Sequence, residues 1–270
     1  MGYGAAVLLG IVQGLTEFLP VSSSAHLILA REFFGWDAGR FGLPFDVACH
    51  VGTLVAVLAF FRKDIADLFR AVPSALSRTP GPDGRRVWLI VFGTIPIVIV
   101  GLLWADWLER EVRGPWVAAI ALAVGAILLL IVERLGPRLK GDESLSMAGA
   151  FAIGIGQASA LIPGMSRSGS TIAVGMALGL RREAAARFAF LMSAPAVAAA
   201  ALKAGLEMRT ETPDGPMFVL MGIGLVTSGL VGYVTVKYFL KFLVSNRLDV
   251  FAWYRLVLAA FAIVWLSMGV

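Results

Sequence analysis

Two short polar runs stand out in an otherwise apolar chain, and each is broken by a proline. The first runs Gln13-Gly-Leu-Thr-Glu17-Phe-Leu-Pro20-Val-Ser22-Ser23-Ser24-Ala-His26. The second runs Gln157-Ala-Ser-Ala-Leu-Ile-Pro163-Gly164-Met-Ser166-Arg167-Ser168-Gly169-Ser170-Thr171. In an apolar segment a carboxylate, an imidazole or a guanidinium is costly and marks function. On a helix Gln13 and Glu17 share a face, being four residues apart. Ser22, Ser23 and Ser24 follow the Pro20 break, where a serine caps the next helix. Capping alone does not account for Glu17 and His26 in the same segment. A serine hydroxyl becomes a nucleophile through a neighbouring base, and these two are the bases nearby. In the second run, Ser166-Arg167-Ser168 opens a helix whose N-terminal amides attract anions. Arg167 adds a planar fork suited to phosphate, and Ser166, Ser168 and Thr171 add hydroxyl donors. Together the runs hold a base, hydroxyls, an imidazole and a fixed cation, which are the parts needed to handle a phosphate.

The elements that must position these parts are membrane helices. Hydrophobic residues make up 59% of 270 and charged residues 15%, with a mean hydropathy of +0.84. Several apolar windows reach the about 17–25 residues that span a ~30 Å hydrocarbon core. Six spans are expected, near 45–61, 87–106, 115–135, 187–205, 216–241 and 250–269. The apolar regions 3–30 and 147–180 hold the polar runs and are interrupted in the middle. Each is expected to form a re-entrant helix hairpin, because irregular backbone at membrane depth survives only under protein or around a water-filled cavity.

Loop charge supports this layout. The 62–86 stretch carries Arg62, Lys63, Arg70, Arg78, Arg85 and Arg86 and is expected inside. Arg134, Arg138 and Lys140 mark a second inner loop, Arg181, Arg182 and Arg187 a third, and Lys237, Lys241 and Arg247 a fourth. The 107–114 stretch balances Arg110 and Arg113 with Glu109 and Glu111, and 206–215 sets Arg209 among Glu207, Glu211 and Asp214; both are expected outside. The alternation closes if each hairpin starts and ends on one face. The chain is then one all-α integral membrane domain, 1–270, built from inverted-topology repeats near 1–135 and 147–270. Such repeats bring broken helices together at the midplane.

The net charge of +5 reflects topology and anionic-lipid contact rather than nucleic-acid binding. No Lys or Arg precedes Arg31, so the first apolar segment is expected to persist rather than be cleaved as a signal peptide. A lone Cys49 excludes an intrachain disulfide. His50 beside it is read as a packed polar residue rather than half of a metal pair, while Asp46, Gln157 and Ser159 are candidates to line the cavity.

Both polar runs resemble the two signature boxes of the undecaprenyl-diphosphate phosphatase family of the bacitracin-resistance type. The resemblance extends to the Phe188-Ala-Phe-Leu191 and Tyr254-Arg255 regions. It implies hydrolysis of undecaprenyl diphosphate to undecaprenyl phosphate and inorganic phosphate, recycling the lipid carrier for cell-wall synthesis in the bacterial plasma membrane. By the resemblance Glu17 is base or metal ligand, Ser23 or His26 the nucleophile, and Arg167 the diphosphate-binding cation. Gln13, Ser22, Ser166, Ser168 and Thr171 support the substrate. A divalent cation, Mg²⁺ or Ca²⁺, is expected at Glu17, although Gln13 replaces the first acid of the family's box and leaves one carboxylate there. Expected partners are a polyprenyl diphosphate lipid and the membrane, with the oligomeric state open to a homodimer. A polyprenyl-phosphate transporter is the alternative, since broken-helix repeats are transporter architecture. An acid-phosphatase-like lipid phosphatase is disfavoured, because neither histidine has an Asp four residues after it.

Overall fold

The computed structural model describes residues 2–37, 41–135, 138–207 and 215–268. Arg209, Glu211 and Asp214, used above to place a loop, lie outside the described residues, as does the Glu109 side chain. The described chain is helical. Six helices are long and apolar enough to cross a membrane: α3 (Leu43–Phe60), α5 (Pro82–Trp107), α6 (Pro115–Arg134), α9 (Arg182–Glu207), α10 (Gly215–Ser245) and α11 (Asp249–Ser267). They match the six expected spans, so this is a multi-pass membrane protein. Pro44 and Pro115 sit in the first turns of α3 and α6, where a missing N–H is not needed.

Two spans begin earlier than the apolar windows implied. α5 starts at Pro82 and α9 at Arg182, because charged residues at the helix ends find partners and the helix continues through them. Arg86 reaches Asp142 at 3.1 Å. Arg182 forks onto the fully buried Glu133 of α6, which Arg247 also approaches at 3.4 Å. A buried carboxylate held by two guanidinium groups ties α6, α9 and the α10–α11 link together at one end of the bundle.

The 62–86 stretch is more than a charged loop. It contains α4 (Arg62–Ala75), whose Ile65, Leu68, Phe69 and Val72 recur at helical spacing and turn an apolar stripe toward α3, α5 and α9. Reading that region by charge alone hid the stripe.

Four further helices form two pairs: α1 (Gly2–Thr16) with α2 (Ser23–Phe34), and α7 (Met147–Ser159) with α8 (Arg167–Ala177). At 1.5 Å per residue the longest of them, with 15 residues, measures about 22 Å, short of a ~30 Å core. Within each pair the helices pack on one another; α1 also lies along α10, α7 along α5, and both α2 and α8 on α6. Behind the first turn, Phe18 meets Phe190 edge to face at 5.4 Å within the largest apolar core.

Candidate functional site

The turns joining each helix pair carry the site. Pro20, lacking an N–H, lies in the first turn, and Ser22 then takes φ 71° and ψ 94° as the cap of α2. The second turn passes through Gly164 at φ 102°, and Ser166 caps α8 at φ 70° and ψ 111°. Ser22 and Ser166 are the non-glycine residues with positive φ among the described residues. Each such conformation costs about 1–3 kcal/mol and persists only where surrounding contacts enforce it.

The enforcing contacts run between the turns. The Gly164 N–H donates to Ser22 Oγ at 3.2 Å. Ser168 Oγ donates to the Leu19 carbonyl at 2.9 Å. Arg255 of α11, wholly buried, donates to the carbonyls of Pro20 at 3.3 Å, Gly164 at 2.9 Å and Met165 at 3.2 Å, and to Ala121 of α6 at 3.4 Å. Gly125 on α6 leaves the room that this guanidinium fills. No carboxylate pairs with Arg255 among the described residues.

Glu17 is the hub. Its Oε2 accepts from Ser23 Oγ at 2.6 Å and from Gln13 Nε2 at 2.9 Å. Its Oε1 pairs with Arg167 across the two turns. His50 Nε2 lies 3.5 Å from Oε2. Glu17, Ser22, Ser23, His50, Ser166 and Arg167 line one cavity of about 290 Å³, which Asp46 of α3 and Arg113 of the α5–α6 link also line. Ser23 and Arg167 are the first residues of α2 and α8, so two helix N-termini meet at the cavity floor, an arrangement that favours an anion.

The expected site residues are thus partly gathered and partly dispersed. Gln13, Glu17, Ser22, Ser23, Ser166 and Arg167 converge. Ser168 faces the first turn, and Thr171 Oγ donates to the Arg167 carbonyl at 2.7 Å; both line a cavity of about 10 Å³ behind the Glu17–Arg167 pair. His26 lies outside the larger cavity: its Nδ1 bonds the Ser22 carbonyl at 2.7 Å and its Nε2 the Tyr254 hydroxyl at 2.8 Å, with the two rings stacked 5.6 Å apart. The imidazole facing Glu17 is instead His50, its Nδ1 held at 2.8 Å by the Asp46 carbonyl. Cys49 is buried elsewhere, against Ser228. Of the three cavity candidates Asp46 lines it; Gln157 and Ser159 do not.

No cluster of three His, Cys, Asp or Glu side chains poised for a metal occurs among the described residues. Gln13 turns its Nε2 to Glu17, and its Oε1 is a buried oxygen with no hydrogen-bond partner among them. With that amide turned over, one carboxylate and one amide oxygen would fit a hard cation such as Mg²⁺, which takes most of its ligands from phosphates and water.

The family model described as bacitracin resistance protein BacA matches residues 6–261. This chain belongs to the BacA family. Three curated relatives bear the name undecaprenyl-diphosphatase. The one from Rubrobacter xylanophilus is 46% identical over 258 residues, covering 94% of this chain and 95% of its own. That from Aliivibrio salmonicida is 41% identical over 270 residues, covering 99% and 100%. That from Pelotomaculum thermopropionicum is 43% identical over 252 residues, covering 93% and 92%. Within this BacA-family site the sequence had not pointed to His50 or Arg113, and to Arg255 only through the resemblance, because their partners lie on distant elements. The one local signal was the spacing of Asp46 and His50, four residues apart on an apolar helix.

Proposed function

We propose that this chain hydrolyses undecaprenyl diphosphate to undecaprenyl phosphate and inorganic phosphate in the bacterial plasma membrane. The observation that carries the reading is the Ser23 hydroxyl donating to Glu17 at 2.6 Å beside the Arg167 guanidinium, in an apolar bundle whose family relatives are named for this activity. Ser23 Oγ attacks the terminal phosphorus as its proton passes to Glu17, and the anhydride bond breaks to release the lipid monophosphate. Water then cleaves the phosphoserine to free inorganic phosphate. Arg167 and the two helix N-termini stabilise charge developing on the transferred group. A divalent cation held by Glu17, and by Gln13 Oε1 once its amide turned over, would neutralise phosphate charge. Ser23 is favoured over His26 as nucleophile because both nitrogens of His26 are engaged outside the cavity. The names of the relatives lend no support to the transporter alternative.

The two helix pairs are read as re-entrant hairpins of an inverted repeat. Their short lengths support this, as do the matching serine caps and the exchange in which α1 packs on α10 while α7 packs on α5. The cavity lies between the halves of α3, α5 and α9 remote from the basic 62–86, 134–146 and 181–187 stretches, so it opens to the outer face. Single-cysteine labelling in a Cys49→Ser background checks the topology: positions 142 and 182 are expected to label from the same face, and opposite faces would overturn the second hairpin. For the reaction, purified protein is expected to release phosphate from undecaprenyl diphosphate, with turnover falling under chelation. A folded protein releasing none would sink the reading.

A further inference from the structure

The cavity has a second cationic pole. Arg113, just before the Gly114–Pro115 start of α6, lines the cavity with a side chain 28% exposed and pairs with Asp46. That carboxylate is already satisfied. Arg31 of α2, itself buried, forks onto both Asp46 oxygens at 2.7 and 3.1 Å and also donates to the Phe41 carbonyl. Among the described residues, two guanidinium groups on one carboxylate leave one positive charge in excess. Arg31 is enclosed, so Arg113 is the group that presents the surplus to the cavity. At the floor, Arg167 is by contrast matched one to one by Glu17. A single guanidinium so matched is a poor counterpart for a ligand with two phosphoryl groups and at least two negative charges.

We propose that Arg113 is a substrate-binding residue that holds the second phosphoryl group of a diphosphate while Arg167 holds the one undergoing attack. The Asp46–Arg31 pair keeps Arg113 over the cavity mouth until a ligand arrives. The fork of Arg113 then swings onto phosphate oxygens in a bidentate contact, and Asp46 stays neutralised by Arg31. The cavity in this way selects diphosphates over monophosphates. This rests on the phosphatase reading for the identity of the ligand but not for its test, which measures binding rather than turnover.

The experiment compares calorimetric binding of methylenediphosphonate and of inorganic phosphate to purified wild type, Arg113→Gln and Arg113→Lys. Losing one charge-assisted contact predicts methylenediphosphonate binding weaker by about tenfold or more in Arg113→Gln, with inorganic phosphate changed less than about twofold. If the glutamine variant does not fold, Arg113→Lys is expected to show the same selective loss in smaller measure, because a point charge does not replace a fork. Equal weakening of both ligands, as a merely structural tie to α3 would give, overturns the proposal, and so does unchanged binding of both. A wild type that binds methylenediphosphonate yet releases no phosphate from undecaprenyl diphosphate would overturn the phosphatase reading and leave the Arg113 contact standing.

Discussion

The turns at 17–22 and 160–166 end alike and divide the chemistry. Each ends on a serine at φ near 70° that caps a short helix. Each is preceded, nine residues before that serine, by a fully buried glutamine, Gln13 or Gln157. Five residues before the serine the first turn has Glu17 and the second Leu161; one residue after it the first has Ser23 and the second Arg167. A base and a hydroxyl thus come from one turn and a cation from the other. In the proposed reaction the serine-capped turns supply helix ends that face an anion, while the chemistry depends on which side chains each turn adds. Neither turn has a complete set, so the proposed reaction needs the two in register.

The comparison breaks most sharply at Ser23. Glu17→Gln is expected to lower turnover by about 10²–10⁴, the range for losing general-base catalysis, and Ser23→Ala, which removes the nucleophile, by at least as much. His26→Ala should cost far less, because His26 faces Tyr254 rather than the cavity. Rapid-quench trapping of labelled enzyme gives the sharper reading, with an acid-stable phosphoserine expected and an acid-labile, base-stable adduct pointing to His26. On the second turn, Arg167→Ala should lose at least about 10²-fold in turnover, and Arg167→Lys should recover little of it. A wild-type rate in a folded alanine variant would remove the cation from the reaction and with it the division of labour between turns.

The register itself is tested at Arg255, which donates to carbonyls of both turns. Arg255→Met strands those carbonyls and lets the turns drift. Displacements near 1 Å cost on the order of 10²-fold in rate, so kcat should fall by about 10–10² with KM little changed. Arg255→Lys, still a donor, should restore part of kcat. A fall in KM-limited rate alone, or a lysine variant no better than methionine, would make Arg255 a packing residue only.

How far the site could be read from the sequence follows the same division between local and distant partners. Glu17 and Ser23 stand six residues apart, and Pro20 between them announced the turn that lets them meet. The six spans were legible because a ~30 Å core demands long apolar runs. Arg255, a charge inside an apolar run, drew notice only as part of a resemblance, since its partners are backbone carbonyls 90 or more residues away in sequence. Arg113 was read as loop charge and His50 as packing, because nothing near either one shows that α3, the α5–α6 link and the first turn share a cavity. Asp46, close to both, was the exception: a carboxylate on an apolar helix is conspicuous by itself.

The smallest expected effect separates the two glutamines. Gln13 Nε2 donates to Glu17 at 2.9 Å, whereas neither amide atom of Gln157 has a partner among the described residues. A buried amide without hydrogen bonds costs about 1–3 kcal/mol by protein mutational measures. Methionine keeps the length of the side chain and removes the amide. Gln157→Met is therefore expected to leave turnover unchanged and to raise thermal stability by an amount equivalent to about 1 kcal/mol. Gln13→Met should instead lose a hydrogen bond to a charged acceptor, worth about 1.5–3 kcal/mol, and cut turnover about tenfold or more if that bond orients Glu17 for the Ser23 proton. Thermal melts and kcat for the two variants, measured together, check the contrast. Equal effects at both positions would mean that the glutamines serve one structural purpose in each half, and that the chemical asymmetry begins only at Glu17.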